Sequence, residues 1–271
     1  MVPNILPNWA RIALSIATIA SYLPQYHRIL EQGHCDGLSL YYVLFNLISA
    51  TEQLTLGFFL NVNDTGRLRG DAFVNDPATA GDWLNFVQLV VVWLCSLVLL
   101  LLSLRYSASN ARRQATRHSV GAIYVVFILI SLVPAIFDAI FPDSRSEPRN
   151  WGRDLFIMGH YLILLPVSSI LVLASAIPQA REIQRQSSPG AISVPGFATH
   201  TVVFAALAIS WMVRVRYPPY SPSYDGWYRL VGWPVVNSGL FSIVQGMLLW
   251  TTQMRSAPNH RDTETQPLLS G

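Results

Sequence analysis

Long, uninterrupted apolar runs divide the chain into blocks separated by short segments rich in Arg, Asp, Asn, Pro and Gly. Crossing the apolar core of a bilayer, about 30 Å thick, takes about 20 helical residues, and each run reaches that length. The pattern therefore predicts seven membrane-spanning helices, at Trp9–Leu30, Leu38–Leu60, Trp83–Leu104, Val120–Phe141, Leu155–Gln179, Ile192–Val213 and Leu230–Thr252.

The composition supports a multi-pass membrane protein. Of the 271 residues, 52% are hydrophobic and 12% are charged, which is too little charge to cover a soluble domain of this size. All 18 basic residues are arginines scattered over the loops, so no nucleic-acid partner is predicted. Cys35 and Cys95 show no metal-ligand spacing and no catalytic constellation stands out, so we expect no metal, no cofactor and no enzymatic activity.

A ten-residue stretch occurs twice, at Ala20–Ile29 and Ala174–Ile183. Laid over each other without a gap, the copies share Ala, Ser, an aliphatic residue, Pro, Gln and Ile, and the overlay continues with Ser39 on Ser193. Each Pro-Gln closes a long apolar run, at the ends of the first and fifth predicted spans. The repeat therefore predicts two related three-span halves, with the fourth span as a linker between them.

The two Pro-Gln pairs, each followed by a polar turn, and the re-entry Gly37-Leu38-Ser39-Leu40 resemble the PQ-loop family of membrane proteins. That family includes cystinosin-like and cationic amino-acid transporters of lysosomes and vacuoles, and it is structurally related to SWEET sugar transporters and KDEL receptors. The resemblance implies an all-α integral membrane fold of two three-helix PQ-loop repeats joined by a linker helix (3+1+3). The predicted repeats are residues 1–105 and 151–254, with 106–150 as linker and flanking loops and 255–271 as a disordered cytosolic tail.

Pro24 and Pro178 are expected to kink or end their helices, because a proline removes one helical hydrogen bond and clashes with the carbonyl four residues earlier. The amides of Gln25 and Gln179 are expected to supply donors to the backbone groups freed in this way. In the family that the chain resembles, these prolines are taken to be hinges on which the two halves rock.

Polar side chains inside the predicted spans are candidates for a substrate or proton pathway. Glu52 lies about 21 Å from the cytosolic end of its span, counted from Leu38. An ionised carboxylate there costs about 2.5–3.5 kcal/mol unless it faces a cavity or takes a proton. The overlay places Asn46 opposite His200, although hydrogen bonds that hold the helices together are the alternative role for each group. The other members of this set are Gln88, Asn237, His160 and Gln245.

The loops predict an orientation and two further sites. The densest short basic loop carries Arg105, Arg112, Arg113 and Arg117 and is predicted to face the cytosol, which places the N-terminus in the lumen and the C-terminus in the cytosol. Asn63 opens an Asn-Asp-Thr sequon in a loop assigned to the lumen, and we predict it as a glycosylation site. In the tail, Glu264, Leu268 and Leu269 match an acidic dileucine sorting signal, which would bind a coat adaptor.

Together these features predict a transporter of a small polar solute, an amino acid or related metabolite, across the vacuolar or lysosomal membrane by alternating access, with protons as a further partner. Cystinosin-like proteins carry an aspartate after the second Pro-Gln, whereas residues 188–197 contain no acid, so the substrate stays open. A non-transporting cargo receptor or sensor of the same fold is the alternative. No pair of arginines is evident inside the predicted spans, which disfavours a receptor that clamps a peptide carboxylate.

Overall fold

The computed structural model describes residues 5–63, 73–75, 77–107, 111–141, 151–186, 190–215 and 223–256, and the regular secondary structure of these ranges is entirely helical. Within them the helices form seven long segments, three of which contain a π-helical turn. The segments are α1 (Asn8–Gln32); α2 (Leu40–Phe58) with the turn Phe59–Asn63; α3 (Ala80–Arg105); α4 (Ala111–Ile130) with α5 (Leu132–Ile140); α6 (Trp151–Gly159) with the turn His160–Leu164 and α7 (Leu165–Arg185); α8 (Val194–Arg214); and α9 (Tyr224–Trp227) with the turn Tyr228–Gly232 and α10 (Trp233–Ser256).

Five of these segments are long and apolar enough to cross a membrane. The all-helical, multi-pass character predicted from the sequence is thereby confirmed. The other two predicted spans coincide with α1 and α10, which have 25 and 24 residues but are more polar than the five. Their membrane crossing stays a prediction. The five segments are Leu40–Asn63, Ala80–Arg105, Gln114–Ile140, Asp154–Arg185 and Val194–Arg214.

The α2 segment is the most enclosed of the five. Of its most apolar stretch 83% is buried, compared with 22–44% in the other four segments. It packs against α3, α7 and the α4–α5 segment, so it has little surface left for lipid. Polar side chains on α2 therefore face other helices, where they find partners or line internal space.

The two halves pack in the same pattern. In the first half α3 contacts both α1 and α2, and in the second half α10 contacts both α7 and α8. Between the halves, α1 contacts α8 and α2 contacts α7. Since the overlay equates α1 with α7 and α2 with α8, these two interfaces are equivalent.

Local signals in the sequence explain several helix ends. Gly33 ends α1 with a positive φ of 65°, and its N–H donates to the carbonyl of Ile29 (3.0 Å), as in a left-handed C-cap. Thr79 and Asp82 form a reciprocal capping box at the start of α3. Ser193 caps α8, because its hydroxyl accepts from the N–H of Gly196 (3.1 Å).

Candidate functional site

The two prolines lie inside helices and do not end them. The helix that contains Pro24 continues to Gln32, and the helix that contains Pro178 continues to Arg185. The prediction that a polar turn directly follows each Pro-Gln is therefore wrong, and so is the alternative that the prolines end their helices. The change from apolar to polar residues marks where the helix leaves the apolar layer, while its backbone continues.

Gln25 binds the other half of the chain. Its Nε2 donates to the carbonyl of Ala191 (2.8 Å), and its Oε1 accepts from the N–H of Ser193 (3.0 Å). All three residues are buried. Gln25 of the first half thus binds Ser193, the residue that immediately precedes α8 in the second half.

Gln179 makes the same contact in the opposite direction. Its Nε2 donates to the carbonyl of Gly37 (2.8 Å), and its Oε1 accepts from the N–H of Ser39 (2.9 Å). Ser39 immediately precedes α2, as Ser193 precedes α8. We refer to the contacts of Gln25 and Gln179 as the two glutamine clamps.

The two loops held by the clamps also contact each other. The N–H of Ala191 donates to the carbonyl of Asp36 (2.7 Å). Gly190 has a φ of +54°, and a Cβ at this position would collide with the same carbonyl, so glycine is required there. At the Pro-Gln end the two halves are therefore joined by backbone and side-chain hydrogen bonds alike.

A cavity of about 470 Å³, including the space at its mouth, lies between the two halves. It is lined by residues of α1, α2, α3, α7, α8 and α10, so both halves contribute. A second cavity of about 250 Å³ shares several of its lining residues. Of the predicted site residues, Asn46, Gln88 and Asn237 line the larger cavity, and Asn46 and His200 line the smaller.

Several polar atoms at these cavities are buried and have no hydrogen-bond partner among the described residues. They are Oδ1 of Asn46, Oγ of Ser49, Nδ2 of Asn237 and Nε2 of His200. A buried polar group without a partner costs roughly 1–3 kcal/mol. A polar solute that offered both donors and acceptors would recover these hydrogen bonds.

Gln88 is already satisfied within the protein. Its Nε2 donates to Oγ1 of Thr18 (3.0 Å), and its Oε1 accepts from Oγ of Ser15 (2.9 Å). Gln245, which was predicted to face inward, pairs with the hydroxyl of Tyr42 through both its amide oxygen (3.0 Å) and its amide nitrogen (2.7 Å). These two glutamines hold helices together next to the cavity.

Glu52 lies apart from the predicted site residues that line the cavities. On α2 it lies about 120° around the helix axis from Asn46, since each residue turns the helix by about 100°, and it lines neither cavity. Its Oε1 lies 2.7 Å from Nδ1 of His160, and its Oε2 accepts from Oγ of Ser131 (3.2 Å). The side chains of Glu52 and His160 are only 0% and 3% exposed, so this is a fully enclosed carboxylate–imidazole pair.

A hydrogen-bonded chain connects the surroundings of this pair to the cavity. Tyr228 interacts electrostatically with Glu52, and its hydroxyl lies 2.6 Å from Oγ of Ser169. Ser169 donates to Oδ1 of Asn237 (2.6 Å), which lines the cavity. The hydrogen bonds from Tyr228 through Ser169 to Asn237 therefore run from the neighbourhood of Glu52 to the cavity wall.

Asn63 is buried, and its amide is occupied. Its Nδ2 donates to the carbonyl of Ala135 (2.8 Å) and to Oδ2 of Asp138 (2.7 Å). A glycan on that nitrogen would leave it a single N–H, so the two bonds and a glycan exclude each other, and the predicted glycosylation requires this site to open. The remainder of the sequon and the predicted sorting residues Glu264, Leu268 and Leu269 lie outside the described residues.

The sequence reasoning missed several cavity residues that helical spacing would have found. On α2, Ser49 and Gln53 follow Asn46 at intervals of three and seven residues, and on α3 Ser96 follows Gln88 after eight, so each set shares one helix face. Tyr22 has no such signal, and it reaches the cavity wall by a hydrogen bond with Ser96 (3.0 Å).

Two arginines that are distant in the sequence meet inside the helix bundle. Arg11 of α1 and Arg214 of α8 both donate to Oδ1 of Asn85, at 2.8 and 3.3 Å. The two side chains are 1% and 8% exposed. They were overlooked because they lie about 200 positions apart in the chain and at the ends of their helices.

Comparison with protein families gives one finding that bears on this site. Residues 7–64, which include the first glutamine clamp residue, Gln25, and all of α2, match the family model of the PQ loop repeat. The resemblance to the PQ-loop family is thereby confirmed for this part of the chain, and the chain carries a PQ-loop repeat of the kind found in multi-pass membrane proteins. Neither the curated proteins nor the solved structures gave a match.

Proposed function

We propose that this protein is a membrane transporter that moves a small polar solute, an amino acid or related metabolite, by alternating access. The observation that carries the proposal is the cavity between the two halves, with unpartnered polar atoms contributed by α2, α8 and α10. Two equivalently packed sets of three helices around a central site are the arrangement that permits alternating access by rocking. The packing pattern also supports the 3+1+3 layout with seven spans, α1 and α10 included.

Transport is tested by solute flux into vesicles that carry the purified full-length chain. We expect uptake of at least one amino acid above empty vesicles, and Asn237→Leu should raise the half-saturating concentration about tenfold, because it removes a hydrogen bond worth about 1.4 kcal/mol without changing the volume much. Thr251→Ala is the matched control, since this hydroxyl lies on the same helix and bonds only to its own helix, at the carbonyl of Met247 (2.8 Å).

The absence of flux for every solute tested would contradict the transporter and favour a receptor or sensor of the same fold. The buried pair Arg11 and Arg214 supports this receptor or sensor as a second candidate, because two arginines do meet inside the bundle. Flux with an unchanged half-saturating concentration in Asn237→Leu would place the solute elsewhere.

Pro24 and Pro178 are proposed as equivalent hinges. Both lie in the interior of a helix, one residue before a glutamine that is fixed to the opposite half. Replacing either with Ala restores an N–H donor to the helix and makes it stiffer. We expect a severalfold lower turnover rate in the flux assay with an unchanged half-saturating concentration and no loss of thermal stability. Wild-type turnover in both single variants would show that the prolines are not hinges.

The vacuolar or lysosomal location is proposed together with the cytosolic C-terminus, because a dileucine signal is read only in the cytosol. It rests on the tail residues and on the PQ-loop repeat. Imaging of the tagged chain in cells tests it, and steady-state residence at the plasma membrane would overturn it.

A further inference from the structure

Arg214 is buried at the C-terminal end of α8, and part of its guanidinium makes no hydrogen bond to the described residues. Its Nη1 donates to Oδ1 of Asn85 (3.3 Å), and its Cζ lies 4.8 Å from the centre of the Trp211 ring. The Nε and Nη2 atoms have no hydrogen-bond partner among the described residues. These two nitrogens form one edge of the guanidinium, whose parallel N–H groups match the two oxygens of a carboxylate.

Arg11 adds a second positive charge beside Arg214. Its Nη1 donates to the carbonyl of Gly81 (2.6 Å) as well as to Asn85 (2.8 Å). The carboxylate of Asp82 interacts electrostatically with Arg11 and accepts hydrogen bonds from Thr79 and from Asn75. Arg11 thus lies beside Arg214, whose own guanidinium forms no ion pair with a carboxylate of the described residues.

A buried guanidinium without an ion-pair partner, such as that of Arg214, is unfavourable unless an anion compensates for it. Two neighbours of the cluster formed by Arg11, Arg214 and Asn85 line the cavity. Trp211, on which Arg214 stacks, lines the cavity, and Gln88 lies one helical turn from Asn85 on α3 and lines it too. Along α1, Arg11 is about 21 Å from Gln25, so the arginines lie at the end of the molecule away from the glutamine clamps.

We propose that the free edge of Arg214, supported by Arg11 and Asn85, binds a carboxylate of the transported solute. This inference rests on the proposed transport function and narrows its substrate to a solute that carries a carboxylate. The unpartnered amide and hydroxyl groups of Asn46, Ser49 and Asn237 then contact the polar remainder of the solute as it moves through the cavity.

The test measures the melting temperature of the full-length chain, purified in detergent without added lipid, while sodium acetate replaces sodium chloride at constant ionic strength. We expect the melting temperature of the wild type to rise with acetate concentration until it saturates. We expect no rise for Arg214→Gln, which keeps hydrogen-bond donors but loses the charged guanidinium. Arg105→Gln is the matched control, because Arg105 also lies near an aromatic ring, that of Tyr106 (6.0 Å), but is exposed at the other end of α3. The control should respond like the wild type.

If Arg214→Gln does not fold, Arg214→Lys takes its place, since it keeps the charge and loses the fork, and we expect it to need about tenfold more acetate. An acetate response that persists in the Arg214 variant, or no saturable response in the wild type, overturns the proposal. Stabilisation by anionic lipid but not by acetate also overturns it and identifies the site as a headgroup site. Acetate binding without solute flux would refute transport alone, whereas flux without acetate binding would refute only the carboxylate site.

Discussion

Changing Gln179 to Ala is expected to release the loop between α1 and α2 and to lower the melting temperature of the protein in detergent. The change leaves the carbonyl of Gly37 and the N–H of Ser39 without their partner. Each buried backbone group left unpaired costs roughly 1–3 kcal/mol. Gln25→Ala should have an effect of similar size, because it removes the equivalent pair of bonds. Gln253→Ala, at an exposed glutamine of α10, serves as the control and should melt like the wild type.

Cys35 provides a direct measure of that release. It is one of two cysteines, is buried and forms no disulfide, and it lies in the loop that Gln179 holds. In a Cys95→Ser background a membrane-impermeant maleimide therefore reports on this loop alone. We expect labelling in Gln179→Ala to be at least about tenfold faster, since a loss of about 1.4 kcal/mol raises the open population tenfold. Equal labelling rates and equal melting temperatures would show that the clamp does not hold the halves together.

We expect the proposed transport to depend on pH, and changing Glu52 to Gln to abolish that dependence while the protein stays folded. A glutamine keeps the shape and can still accept from Ser131, but it cannot exchange a proton with His160. Among the described residues, the ionisable groups near Glu52 are His160 and Tyr228, and hydrogen bonds link Tyr228 through Ser169 to Asn237 at the cavity. The measurement is flux as a function of the pH on each side of the vesicle membrane.

The chain contains a matched control for this pair. His27 and Glu31 also form a carboxylate–imidazole contact (3.3 Å), but their side chains are 74% and 56% exposed. Glu31→Gln should therefore leave the pH profile unchanged. A wild-type profile in Glu52→Gln would assign Glu52 a structural role, as the residue that joins α2 to the α4–α5 break at Ser131 and to the π-helical turn at His160.

The internal repeat predicted more of the structure than any single residue did. It identified Gln25 with Gln179 and Ser39 with Ser193, and the structure gives the members of each pair equivalent environments. What the overlay could not show is that each glutamine binds the serine of the other half. Sequence similarity tells which residues occupy equivalent places, but the contact between halves depends on how the two bundles face each other.

Polar residues in the spans were predicted less completely, for a related reason. Depth along the helix indicated that Glu52 is buried, and His160 was in the same predicted set, yet nothing in the spacing indicated that they form a pair 108 positions apart. Arg11 and Arg214 were missed because each, taken alone, resembles an arginine at the membrane surface. Long-range pairing of polar groups depends on the packing of helices that are distant in the chain.

The reciprocal form of the two clamps also determines when the protein can be completed during its synthesis. Gln25 and its loop enter the membrane long before Gln179 and Ser193 exist, with an interval of roughly ten to thirty seconds at translation rates of about 5–20 residues per second. During that interval the amide of Gln25 and the backbone at Gly37 and Ser39 lack their native partners. The first half therefore leaves the ribosome before its hydrogen-bond partners exist. The membrane insertion machinery must tolerate an unpaired amide and an unpaired loop until the second half has been synthesised.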